Sequence, residues 1–179
     1  MFLKLTGLCA FLGILSISFA HKITPNVFEG VPDILNITTV PFRKIGSSYY
    51  NIASKTVSWY TAFASCRQMR ADLIAFESLE ELNLISQYLI DENIVIKSYW
   101  TSGTNLAEQD NHVWFSNGQA VSSDLWISGG PINENKVEQC DELIIEPGRR
   151  VGLNDKKCSY LTSFICKVRQ PKTASFLIL

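Results

Sequence analysis

Trp126-Ile127-Ser128-Gly129-Gly130-Pro131, then Glu138-Gln139-Cys140, Asn154-Asp155-Lys156-Lys157-Cys158 and Phe164-Ile165-Cys166, is the stretch that decides how this chain reads. Three cysteines fall inside it, and oxygen-bearing side chains stand just ahead of two of them. Gly-Gly-Pro opens a run with neither helical nor strand period. A long irregular segment in a compact domain is usually functional, so the search for a site starts here.

Outward from this stretch, residues 1–20 read as an export signal. Lys4 is their only charge, an apolar run follows from Leu8 to Phe19, and Ser18-Phe19-Ala20 is a small-x-small cleavage site. Cys9 leaves with the signal. Cys66, Cys140, Cys158 and Cys166 then form an even set in an oxidising compartment, which allows three pairings and selects none. No Cys-x-x-Cys or Cys/His cluster marks a metal site. Losing Lys4 leaves 15 basic residues against 17 acidic ones, a mature balance of −2. With no basic surplus and no basic stripe, nucleic acid is excluded as a partner. No later segment is long and apolar enough to span a bilayer, so a soluble, secreted chain is expected. Asn36-Ile37-Thr38 is an N-glycosylation acceptor in an exposed-looking leader.

The leader over residues 21–41 is punctuated by Pro25, Pro32 and Pro41 and shows no period. Phe42 to Ile52 predicts two short strands joined by a Gly-Ser turn. Ser58 is a helix N-cap followed by the stripe Trp59, Ala62, Phe63, Cys66, which predicts a helix over 58–69 and puts Cys66 on its buried face. Ser78 and Glu81 form a capping box, and Leu79, Leu82, Ile85 and Leu89 line a second helix to Ile90. Short apolar runs such as Val113-Trp114-Phe115 and Glu142-Leu143-Ile144-Ile145 then alternate with turns. Two helices followed by loop-rich strands indicate an α+β domain. The tail over 169–179 ends Phe176-Leu177-Ile178-Leu179, too short for a GPI signal.

The ordered set resembles the C-type lectin domain over residues 42–168, closest in feel to small secreted single-domain insect lectins. Tyr99-Trp100-Thr101-Ser102-Gly103 is similar to the family's core Trp-x-Gly segment, loosened by one residue. Trp126-x-x-Gly129-x-Pro131 is similar to the opening of the family's long loop, with Pro131 as the proline kept in cis. The resemblance implies the pairs Cys66–Cys166 and Cys140–Cys158. It implies a calcium ion in the loop whose ligands also hydrogen-bond sugar hydroxyls, a role that falls here on Glu138, Asn154 and Asp155. Calcium takes six to eight oxygens, so that residue chemistry is apt. Gly130 and Ile132 stand where the family keeps two further ligands, and neither carries a side-chain oxygen; Asn133, Glu134 or Asn135 are the replacements within reach.

Two functions follow from the resemblance: a secreted module for glycans or glycoproteins, with calcium uncertain, or a calcium-independent protein-binding module on the same scaffold. Trp100, Trp114 and Trp126 are candidates for a sugar-stacking face, core packing being the better reading of the first two. An enzyme is not expected. His21 and His112 are the only histidines, are read as surface residues, and no nucleophile or phosphate-loop motif is present.

Overall fold

The computed structural model describes residues 25–29, 40–94, 98–146, 148, 150–168 and 172–176. The export signal, His21, Asn36 and residues 177–179 lie outside them. In chain order the elements are β1 (Pro25–Glu29), β2 (Arg43–Ile45), β3 (Ser48–Val57), α1 (Trp59–Gln68), β4 (Asp72–Leu73), α2 (Leu79–Asp91), β5 (Ser98–Thr104), β6 (Val113–Trp114), β7 (Cys140–Glu146), β8 (Arg150–Lys156), β9 (Thr162–Val168) and β10 (Lys172–Phe176). Two single turns of 3-10 helix, Ser123–Leu125 and Glu134–Lys136, interrupt the stretch between β6 and β7.

The helices begin where their caps dictate. Ser58 Oγ accepts the Thr61 N–H, and Ser78 Oγ accepts the Glu81 N–H at 3.3 Å. The capping box closes one residue further out than expected, because Glu81 Oε2 reaches the N–H of Glu77 at 2.8 Å.

The main sheet runs β2-β3-β9-β5-β7-β8, with β4 on β9 and β6 on β5. It is antiparallel except for β5 and β9, which run parallel. Consecutive strand side chains point to opposite faces, so Tyr99 and Ile165 join the cluster with Leu82, Ile85 and Leu89 of α2, while Trp100 and Phe164 join the cluster with Trp59, Ala62 and Cys66 of α1. Every residue of β5 is buried, as a strand covered on both faces requires. Each fully buried Leu or Ile contributes about 1.5–3 kcal/mol.

Both disulfides pair as the resemblance implies, Cys66 with Cys166 and Cys140 with Cys158. The first spans a sequence separation of 100, worth roughly 5 kcal/mol in the chain-entropy picture. A separate ribbon joins β1 to β10 antiparallel, from Pro25 opposite Phe176 to Glu29 opposite Lys172. Segments that show no period in sequence are therefore held by a backbone ladder.

Candidate functional site

The long loop leaves Leu125, a member of the core cluster packed with α2, and returns at Cys140. Its opening is pressed onto β8: Ile127 N–H donates to the Leu153 carbonyl at 3.0 Å. A side chain at Gly152 would meet Ile127 N and the Leu125 carbonyl at 3.0 Å, so only glycine fits that contact, with φ at +155°. Gly130–Pro131 is cis, as the resemblance implies.

Beyond the proline the loop folds back on Asp155. Ile132 N–H donates to Asp155 Oδ1 at 2.9 Å, and Asn133 N–H donates to Oδ2. Asp155 is fully buried. Asn133 takes a left-handed backbone (φ +47°), which turns the chain into the Glu134–Lys136 turn, and Glu134 N–H donates to Glu138 Oε2 at 3.1 Å. Asn154 Nδ2 donates to the Asp155 carbonyl at 2.6 Å. Glu138, Asn154 and Asp155 are thus brought to one place by the loop, β7 and β8. Burial, followed by the charges of Asp155, Glu134 and Glu142, outweighs the Glu134 N–H and raises the pKa of Glu138.

The residues fit a family-style calcium ion poorly. Gly130 has no side-chain oxygen, and Ile132 contributes an N–H and a side chain that is 61% exposed. Both carboxylate oxygens of Asp155, one of Glu138 and the Asp155 carbonyl already accept N–H groups, which present positive charge to the oxygens an ion needs. Three side chains leave half or more of a six-to-eight-oxygen shell unfilled. Among the replacements, Asn133 has a buried Oδ1 with no hydrogen-bond partner among the described residues, and Glu134 is exposed. Among the described residues no three His, Cys, Asp or Glu side chains cluster as a metal centre. Glu138 Oε1 and Asn154 Oδ1 accept no hydrogen bond among the described residues and are the open acceptors of the site.

His112 corrects the sequence reading: it is buried, with 8% exposure, not on the surface. Its Nδ1 lies 2.8 Å from Asp141 Oδ1 and its Nε2 3.2 Å from Asn105 Nδ2. The Trp126 ring meets it edge-on at 4.8 Å. Burial lowers the His112 pKa, but the Asp141 carboxylate outweighs burial, so the net direction is up; burial lifts Asp141 to about 6. Asp141 stands opposite Asp155 in the β7–β8 ladder, and its Oδ2 has no hydrogen-bond partner among the described residues. This His–Asp pair is not a catalytic dyad, because Nε2 faces an amide where a dyad needs a hydroxyl or thiol. The cluster was missed in sequence, although an aspartate directly after Cys140, at the head of the apolar run Leu143-Ile144-Ile145, is a signal for it. Trp100 and Trp114 are core residues at 0% and 2% exposure, which removes them as sugar platforms.

The fold and this loop define a C-type lectin domain, and the chain belongs to that family: the family's Lectin C-type domain profile matches residues 55–168. Among its relatives, C-type lectin 37Da of Drosophila melanogaster is 33% identical over 163 residues, 88% of this chain and 87% of the relative. Among solved structures, the mouse scavenger receptor C-type lectin carbohydrate-recognition domain aligns with a TM-score of 0.64 at 21% identity, over 75% of this chain and 98% of that one. A calcium-independent type II antifreeze protein aligns at 0.62 and 19% identity, over 75% and 96%.

Proposed function

We propose that this chain is a secreted, non-enzymatic carbohydrate-recognition module that engages glycans through its 126–139 loop without a resident calcium ion. The observation that carries this reading is the use of Asp155 and Glu138 to hold loop N–H groups, which ties the loop to β8 and to itself through the chain's own carboxylates. Glu138 Oε1 and Asn154 Oδ1 then accept sugar hydroxyls. The calcium-independent antifreeze relative of the fold supports the view that the scaffold stands without the metal. The reading includes an export signal at 1–20, a leader at 21–41, a recognition domain at 42–168, a tail at 169–179 and glycosylation at Asn36. Among the described residues no helix is long and apolar enough to cross a membrane.

The test is a glycan array probed with the disulfide-intact protein, with and without chelator. Equal retention in both supports the reading. Retention lost in chelator overturns its calcium-free part, and no retention in either overturns the glycan part.

A second reading, a protein ligand, is favoured by one observation: Ile132 at 61% and Val137 at 42% exposure place apolar side chains on the loop rim. Ile132→Ser with Val137→Ser would weaken a protein ligand strongly and a hydroxyl-led sugar contact little.

A further inference from the structure

One groove is remote in sequence from the long loop. It encloses about 470 Å³ and is lined chiefly by Pro41, Arg43, Ile52, Ser54, Asn93 and Ile94. A volume in this range suits a small organic ligand. Its position follows from topology: β2 covers β3 only from Arg43 opposite Tyr50 to Ile45 opposite Ser48, so among the described residues no strand pairs with that edge of β3 beyond Tyr50. The C-terminal end of α2 forms the other wall, where Asn93 turns the chain with φ +53° and Ile94 N–H returns to the Leu89 carbonyl at 3.0 Å.

The chemistry of the groove is asymmetric. Ile52, Ile94 and Pro41 supply an apolar wall, and Asn93 and Ser54, both exposed, supply an amide and a hydroxyl. Arg43 is its one cationic lining residue among those described. Arg43 Nη1 donates to Tyr88 Oη at 3.2 Å, a neutral partner, and no carboxylate lies within 4.0 Å of it among the described residues; Glu92 acts on it only at longer range. Of the other exposed arginines with described side chains, Arg67 is bound to Asp72 and Arg150 to Glu146, while Arg70, which lines no part of this groove, has no carboxylate within 4.0 Å among the described residues. An arginine fork held in place by a phenol and left without an anion is suited to a planar carboxylate, which accepts two parallel N–H groups.

We infer that this groove binds a small organic carboxylate with a hydroxyl-bearing body, such as a uronic acid, either free or at the end of a glycan chain. The carboxylate pairs with Arg43, the hydroxyls meet Asn93 and Ser54, and the less polar ring face lies on Ile52 and Ile94. The site is separate from the long loop and does not rest on how that loop works.

The experiment is an amide NMR titration of the full secreted chain with glucuronate, with glucose as the neutral counterpart, and with an oligosaccharide ending in glucuronate. Saturable shifts of Arg43, Ile52–Ser54 and Asn93–Ile94 are expected with glucuronate, in the millimolar range typical of one ion pair and few contacts (about −4 kcal/mol for 1 mM). Glucose should bind at least about tenfold more weakly, the loss of one charge-assisted contact. Arg43→Gln should give a similar loss with the rest of the spectrum unchanged. Asn93→Gly keeps the left-handed backbone while removing the amide, and should weaken binding about threefold; it serves if Arg43→Gln disturbs the fold. Whichever acid binds tighter, free or chain-terminal, assigns the source. Asp155→Asn should leave glucuronate binding unchanged, so failure of the long-loop reading does not affect this one. Equal shifts with glucose, no saturable shifts with either acid, or full binding by a folded Arg43→Gln would overturn the proposal.

Discussion

Replacing Asp155 by asparagine removes one oxygen from the group that holds the loop. In the native site Oδ1 and Oδ2 each accept a backbone N–H, from Ile132 and Asn133. Hydrogen bonds to a charged acceptor contribute about 1.5–3 kcal/mol, neutral ones about 0.5–1.5. Asparagine keeps one acceptor, now neutral, and opposes an N–H to the other amide in a fully buried position. One charge-assisted bond is lost and the second is weakened, about 3 kcal/mol in all, which raises the local opening equilibrium roughly 100-fold. Hydrogen exchange at the Ile132 and Asn133 amides reads this directly. The Ile74 amide, bonded to the Ile165 carbonyl at 2.9 Å in the core, should change little. Exchange that accelerates less than about fivefold, well short of the charged-acceptor range, would refute the assignment of Asp155 as the loop's anchor. Wild-type protection that collapses when chelator is added would refute the calcium-free account.

Gly103→Ala is expected to cost about 3–5 kcal/mol in urea unfolding, because the new Cβ would sit 2.2 Å from Asp141 Oδ2 and 2.8 Å from its Cβ, forcing that carboxylate off His112. In an Asp141→Gly background, which removes every clashing atom, the same change should cost under about 1 kcal/mol, and equal costs in both backgrounds would show that the clash is not the cause. The melting temperature should rise as pH falls from 8 toward 5.5. The raised pKa of His112 gives stability that is complete below about 6.5 and lost as pH climbs through the folded value. Asp141, raised to about 6, takes up a proton more readily folded than unfolded, which acts in the same direction. His112→Phe with Asp141→Leu should flatten that profile; Asp110 and Asp155, which also act on the pair, remain. Ser78→Ala removes the α2 cap and should lower stability by about 1 kcal/mol without touching the loop.

The α+β architecture was legible because its signals are local. A cap and a 3.6-residue stripe lie within one helix, so α1 and α2 begin where Ser58 and Ser78 place them. The disulfide pairing was not local, and four cysteines alone leave three solutions; only the resemblance selected between them. His112 was misread for the same reason. Its burial depends on Asp141, 29 residues later, and a lone polar segment around it gives no hint of that partner. The grouping of Glu138, Asn154 and Asp155 could be expected, but what those oxygens do could not. Their partners are backbone N–H groups of Ile132, Asn133 and Glu134, which every sequence carries and no motif reports. The β1–β10 ribbon was invisible because a two-stranded ladder needs no side-chain period and its halves lie at opposite ends of the chain.

That ribbon, taken with the Cys66–Cys166 bond, sets how the domain responds to tension. Pro25 lies opposite Phe176 and the strands run antiparallel, so a pull applied at these two points opens the ladder one rung at a time, the weakest loading geometry for a sheet. The peeling would next reach β9, and there it meets the covalent link one residue short of Lys167. The 100-residue separation bridged by that link, roughly 350 Å of extended chain at ~3.5 Å per residue, stays out of the load path. The ribbon and the β2–β3 edge take the load first, while β5, β7, β8 and the long loop, all inside the bridged separation, stay outside it. A chain stretched between these two points would keep its long loop folded until the disulfide itself is reduced.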